Sequence, residues 1–526
     1  MGFLKGKRRI QRVLEGVSGY IRTRKFATAC MLSIALAAGG AVAPAAYARD
    51  PSTIRIVQAQ PMTSFNANIQ SLLGVGSVAE LALEGLTQFY DHDGSLELAP
   101  ELATSWEVVE PKRWRFHLRE GVVFSDGTPF TSADVLASVK MMVEDHPGTF
   151  STLFNRYKLE APDDLTVDVI TEVENEAAVP IRFSALRVFP AALIAKLGAE
   201  GVGQSPIGTG PYKVDTFQQG TSVDLSYNDK WWGKEPPIKH VNVRFITDAS
   251  TRLQELMSGG ADIINFVPAT YADAIESNDQ LKLVVAQTAS RRTLFFNINS
   301  GVAANPEFRR ALNYAVDREA LVQAIGGRAV PIGGIYSFGE TAFDPNYRPF
   351  PHDVAKARQI LADAGISNPS IDMYVRDDQE SARIGAQALQ AQLAEAGVNV
   401  NILIGPNVTN LPKFTAGELE GMYYGEFSSS YPGEDRLFSS HFVNTASYSR
   451  AYKSEAATPM ILELRSVIDM DARKKLLLEL QKQLVEVESL WVPLYIEQDL
   501  YATAKDLHWL PRQGIKLNIE DAYFDQ

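Results

Sequence analysis

Between residues 79 and 140 nearly every local signal agrees on one structure, and this agreement narrows the fold more than any other part of the chain. An apolar helical run ends near Gly85, a loop follows around Asp91, Asp93 and Gly94, and the segment from Ala99 to Trp106 leads on from it. Trp114, Phe116 and Leu118 alternate with polar neighbours, which predicts a strand with one buried face. Asp126-Gly127-Thr128-Pro129 predicts a turn. Thr131 and Asp134 then stand at N-cap and third-position spacing, an Asp version of the capping box, and open a helix bearing Val135, Val139 and Met142.

The rest of the chain alternates short strands with amphipathic helices, which predicts an α/β fold throughout. Strands are expected at 53–60, 165–171, 223–227, 241–246, 371–375 and 398–404, with Trp231-Trp232 continuing the sheet. A helix is expected around 191–196, and Asp248 is placed to cap another that carries Leu253 and Leu256. Asn305-Pro306 supplies a cap and first helical residue for the segment PEFRRALNYAVDREAL. Gly365 and Gly397 lie just beyond helices at 354–364 and 381–396, and a late helix at 471–488 leads into a strand at 491–497. Gly208-Thr209-Gly210 looks like a phosphate loop, but no Gly-Lys-Ser/Thr follows and Pro211 removes an amide donor, so a backbone turn is expected there.

The first 48 residues read as a cleavable export signal. Eight Lys/Arg stand against the single acid Glu15, an apolar run spans 26–43, and Ala46-Tyr47-Ala48 gives an A-x-A cleavage site that leaves Arg49 at the mature end. A membrane anchor is the alternative, but the run is rich in Ala and Gly and barely long enough to span. The only cysteine, Cys30, lies inside this segment, so the mature chain holds no disulfide and relies on core burial. Of 50 Lys/Arg and 63 Asp/Glu, eight and one fall in the leader, leaving a balance of about −20. That charge disfavours nucleic acid and anionic lipid as partners. Roughly 480 residues exceed one core, so two or three domains are expected.

In order and wording, the 79–140 stretch resembles the extracellular solute-binding proteins of family 5, the dipeptide, oligopeptide and nickel receptors of ATP-driven importers. The segments PIGTGPYKV (206–214), WW (231–232) and SGGADI (258–263) resemble the same family. The resemblance implies a periplasmic binding protein of type II, with two hinged lobes and an extra small α/β domain inserted in the first. On that pattern residues 49–80, 206–288 and 490–526 form the first lobe, 81–205 the inserted domain and 289–489 the second lobe. Chain crossings are then expected at 286–291 and again near 491–497. It further implies a monomer in the periplasm that captures peptides by closing on them and passes them to inner-membrane permease subunits with cytoplasmic ATPases. No cofactor or metal of the protein's own is implied.

Two regions are implicated in ligand binding by the resemblance. Arg376 falls where dipeptide receptors place an arginine for the ligand carboxylate, and a guanidinium fork suits that task. An ion pair with Asp377, Asp378 or Glu380 is the competing role. Residues 421–438 correspond to the segment in which peptide-binding relatives carry an aspartate for the ligand ammonium, inside a W-x-x-D…D-P pattern. Here Tyr423, Tyr424 and Glu426 stand where the aromatic and the acid are expected, and Glu for Asp loosens a strict dipeptide preference. Phe427 and Tyr431, with the two tyrosines, are expected as flat walls. Phe65 and Asn66 are candidates on the first lobe, and His441 is one for a chelated nickel cargo. Disaccharides and opine-like solutes also fit such a fold.

An exported hydrolase is the competing class. The seven histidines, His92, His117, His146, His240, His352, His441 and His508, are scattered singly, with no His-Glu-x-x-His and no Gly-x-Ser-x-Gly. The expectation is therefore a receptor that leaves its solute chemically unchanged.

Overall fold

The computed structural model describes residues 50–68, 78–92, 95–145, 151–427, 450–511 and 517–525. The leader, Tyr431 and His441 lie outside the described residues. No described helix is long and apolar enough to cross a membrane.

The first strand, β1 (Thr53–Gln58), is followed by a hairpin of β2 (Thr87–His92) and β3 (Ser95–Pro100). A four-stranded antiparallel sheet is then built from β4 (Ala103–Glu110), β5 (Arg113–Leu118), β6 (Lys158–Asp163) and β7 (Thr166–Ile170), in the order β4-β5-β7-β6. In β5 Trp114, Phe116 and Leu118 are buried and the residues between them are half-buried, as period-two alternation demands. The predicted capping box is present: the Thr131 amide donates to the Asp134 carboxylate at 2.8 Å and opens the helix Ser132–Lys140.

The large sheet adds to β1 the strands β8 (Tyr212–Gln218), β9 (Ser222–Tyr227), β10 (His240–Phe245), β11 (Ile263–Ile264) and β12 (Leu281–Phe296). It continues with β13 (Ala329–Pro331), β14 (Ser370–Arg376), β15 (Asn399–Gly405), β16 (Met422–Phe427) and β17 (Trp491–Ala504). The order is β15-β14-β16-β12-β17-β11-β1-β10-β9-β8, with β13 also on β17, and β18 (Leu507–His508) pairs separately with β19 (Tyr523–Phe524).

The long strands β12 and β17 hold this sheet together. Residues 281–287 of β12 pair with 498–504 of β17, and residues 291–295 pair with 491–496, with a register break between Gln287 and Arg291. Within the break the Thr288 hydroxyl donates to the Glu497 carbonyl at 2.7 Å and accepts from the Ser290 amide at 3.0 Å, so the extra residues are tied locally. The buried apolar clusters divide at the same place. Two draw on buried residues up to Leu281 and from Leu500 onward, and two draw on buried residues from Leu294 to Tyr495 or within that span.

Trp231 and Trp232 do not extend the sheet. They lie in a loop after β9, and both indole N–H groups donate to the buried Glu84 carboxylate at 3.0 Å. Gly208 and Gly210 serve close packing: a Cβ on Gly208 would sit 2.0 Å from the Ala82 carbonyl oxygen. Asn305 accepts from the Glu307 amide at 2.9 Å at the head of the buried helix Pro306–Ala315. Asn305→Ala is expected to cost about 1 kcal/mol in urea denaturation, and no change would mean that Pro306 and packing alone hold that end.

Candidate functional site

Strands β14, β15 and β16 run parallel, so their carboxyl ends open on one side, where ligands of open α/β sheets sit. A cavity of about 330 Å³ lies there. Gln60, just beyond β1, contributes from one group of cores, while Arg376, Gln379 and Glu426 form the rest of its polar end. Phe295, Leu411, Phe414, Tyr423, Phe427 and Tyr452 form its apolar end, with Asn407, Thr415 and Gly425 between.

The polar end is a linked set of charges. Arg376 closes the end of β14 and donates from Nε and Nη2 to both oxygens of Asp378, at 2.6 and 2.8 Å, and from Nη1 to Glu426 at 3.2 Å. These bonds, led by the one to Asp378, hold Arg376 more firmly protonated than usual and pull the Asp378 carboxyl below its ordinary range. Arg292 lies deeper, almost wholly inaccessible, and bridges Glu426 at 3.2 Å, Glu497 at 2.7 Å and Gln379. Glu426 also accepts from the Ser290 hydroxyl within the register break. Burial pushes the Glu497 carboxyl up despite its pairing with Arg292. Two residues along β17, half-buried Asp499 is pushed up to about 6 by burial and by the nearby carboxylates of Glu497 and Glu426.

A carboxyl held higher in the folded chain than its usual value near 4 contributes stability below that value, and the contribution is lost as pH rises through about 6. Asp499→Asn is therefore expected to melt above the parent at pH 7.5, with the gap closing toward pH 4. An equal gap at both pH values would rule out the raised carboxyl.

Of the residues expected at the site, Arg376, Glu426, Tyr423 and Phe427 meet at this cavity. Tyr424 does not. Alternation along β16 turns it to the opposite face, where its hydroxyl meets that of Tyr495 at 2.5 Å and packs so closely on Gly385 that a Cβ there would be 2.3 Å away. Phe65 and Asn66 are also core residues. Phe65 packs edge-on against Phe217 at 5.1 Å, and Asn66 is buried with its amide donating to the Ala199 carbonyl at 2.8 Å. No described histidine lines the cavity.

Arg292, Gln379, Phe414, Tyr452 and Glu497 were not expected from the sequence. One signal was present for Arg292: a cation inside a strand that continues as Thr293-Leu294-Phe295-Phe296 must be buried, and a buried cation needs carboxylates. Phe414 and Tyr452 reach the cavity from a short helix and a loop whose approach no local pattern specifies.

A half-enclosed, charge-lined cavity at the strand ends of an α/β sheet, where two long strands link two groups of cores, defines a ligand-enclosing binding protein. Residues 97–449 match the family model described as bacterial extracellular solute-binding proteins, family 5 Middle. The chain belongs to that family. It is 29% identical over 469 residues to the glutathione-binding protein GsiB of Escherichia coli K12, covering 85% of this chain and 89% of that one. The fold matches the Helicobacter pylori periplasmic binding protein DppA in complex with the peptide STSA, at a TM-score of 0.73 and 21% identity over 90% of this chain and 98% of that one. It also matches AgaA of A. tumefaciens R10 in complex with agropinic acid, at a TM-score of 0.72 and 25% identity over 90% of this chain and 99% of the other. These likenesses establish the type II periplasmic-binding fold.

Proposed function

We propose that this chain is the periplasmic capture component of an ATP-driven importer, a monomer that encloses a small peptide and releases it unaltered to membrane permease subunits. The observation that carries this reading is the Arg376–Glu426 pair, 3.2 Å apart at the mouth of the cavity. A peptide is a zwitterion, and a guanidinium beside a carboxylate offers one partner to each of its charged ends. Neighbouring acids already occupy the Arg376 fork, so the incoming carboxylate replaces an existing partner and no bare charge is left.

Movement has a place in this reading. We assign the two lobes to either side of residues 288/289 and 489/490, with 81–205 as a domain inserted in the first. The first connection then falls in β12 at the register break, and the second lies just ahead of β17. Gln60, on the first lobe by this assignment, lines the cavity together with Arg376 and Glu426 of the second.

The test is a thermal-shift panel of dipeptides, longer peptides, glutathione, a disaccharide, an opine and nickel, with mass spectrometry of whatever accompanies protein purified from the periplasm. A ligand at a hundred times its Kd stabilises by about 2.7 kcal/mol, so a bound dipeptide is expected to raise the melting temperature by several degrees. Stabilisation by nickel or a disaccharide alone would replace the peptide reading, and turnover of any member would replace the receptor reading.

A further inference from the structure

We propose that the cavity selects a small zwitterion bearing one flat apolar group, with the charged head at Arg376 and Glu426 and the flat group against Phe414, Phe427 and Tyr452. This rests on the peptide reading above and narrows it.

Size is the first argument. A cavity of about 330 Å³ is near the lower end of ligand pockets and roughly twice the volume that an apolar cavity needs to hold benzene. One ring and a short polar head fill it.

The lining is the second argument. Phe295, Phe427 and Tyr452 form part of one rigid aromatic set: Phe295 meets Phe427 edge-on at 4.6 Å and stacks on Tyr452 at 5.9 Å. Trp491 backs this set at 5.1 Å from Phe427. In the same apolar cluster Phe414 packs on Tyr423 at 5.4 Å, and the Tyr423 hydroxyl is fixed on Asn407. Walls held this way do not collapse into an empty pocket, so its apolar end keeps a slot for a planar group.

Charge is the third argument. Around the polar end, among the described residues, Asp378, Glu426 and Glu497 pair with two cations, Arg292 and Arg376. That excess of acid favours a head that brings an ammonium along with its carboxylate, and it disfavours an anion without one.

Calorimetry on the full mature chain with Ala-Phe, Ala-Ala and N-acetyl-Ala-Phe tests this directly. Burying a phenyl ring is worth at least about ten-fold in affinity, so Ala-Phe is expected to bind at least that much tighter than Ala-Ala. N-acetyl-Ala-Phe is expected to lose at least as much by giving up its ammonium. Leu411→Trp, on the half-exposed side of the lining, fills the apolar end and is expected to shrink the Ala-Phe to Ala-Ala ratio toward one. Equal affinities for the two free dipeptides, a ratio unmoved in the Leu411→Trp protein, or undiminished binding of the acetylated one would each overturn the proposal while leaving peptide capture standing. Failure of all three to bind a folded protein would overturn the peptide reading and this inference with it.

Discussion

Replacing Arg292 by alanine is expected to lower the stability of the unliganded chain by about 3–5 kcal/mol, the range for breaking a buried ion pair by removing one partner. The side chain is 1% exposed and stands between Glu426 and Glu497, with Gln379 on the same edge. Burial opposes its charge, but the Glu497 and Glu426 carboxylates outweigh burial and hold it more firmly protonated than an ordinary arginine. Without it, two carboxylates remain close together in a poorly hydrated place, and Asp499 adds a third nearby. Urea denaturation at pH 7.5 measures the loss. Arg292→Lys is expected to retain part of the stability, because an ammonium restores the charge without the fork. A loss below about 1 kcal/mol for the alanine variant would mean that water already solvates these acids.

Replacing Arg376 by alanine is expected to leave the fold standing and to weaken binding of a carboxylate-bearing dipeptide by about thirty-fold or more. Truncating one partner of a hydrogen-bonded charge pair at an interface costs about 2–5 kcal/mol, and each 1.4 kcal/mol is ten-fold. Arg376 sits at a strand end and is partly open to solvent, so its loss disturbs less packing than the loss of Arg292. Calorimetry separates the two effects, because the Arg376 variant is expected to melt close to the parent without ligand. Unchanged affinity would leave Arg376 as an internal partner of Asp378 and Glu426 with no part in binding.

These two arginines also show what the sequence makes legible. Arg376 was singled out by the family resemblance, and the strand that it ends alternates cleanly, with Ile371, Met373 and Val375 buried. The capping residues Asp248 and Asn305 were readable because a cap bonds within three residues. Tyr424 was misplaced for an instructive reason. Four of the six β16 residues are aromatic or bulky, so hydrophobicity alone gave no phase to the alternation, and only pairing with β12 and β14 decides which face is the cavity. Glu497 escaped notice because its partner Arg292 lies 205 residues earlier, and no local spacing encodes that meeting. Phe65 and Asn66 follow a sheet strand, a common place for ligand contacts, yet packing on Phe217 and Ala199 claims them for the core.

The position of β17 in the sheet bears on how the chain is made. This strand lies between β12 and β11 and also receives β13, yet it is encoded within the last 36 residues. Until those residues leave the ribosome, β12 lacks its neighbour along nearly its whole length, and the strand that pairs with both β11 and β12 is missing from the sheet. A nascent chain of this design completes its large sheet only at the end of its synthesis. A stop codon shortly before Trp491 is therefore expected to yield material for proteases rather than a shortened receptor.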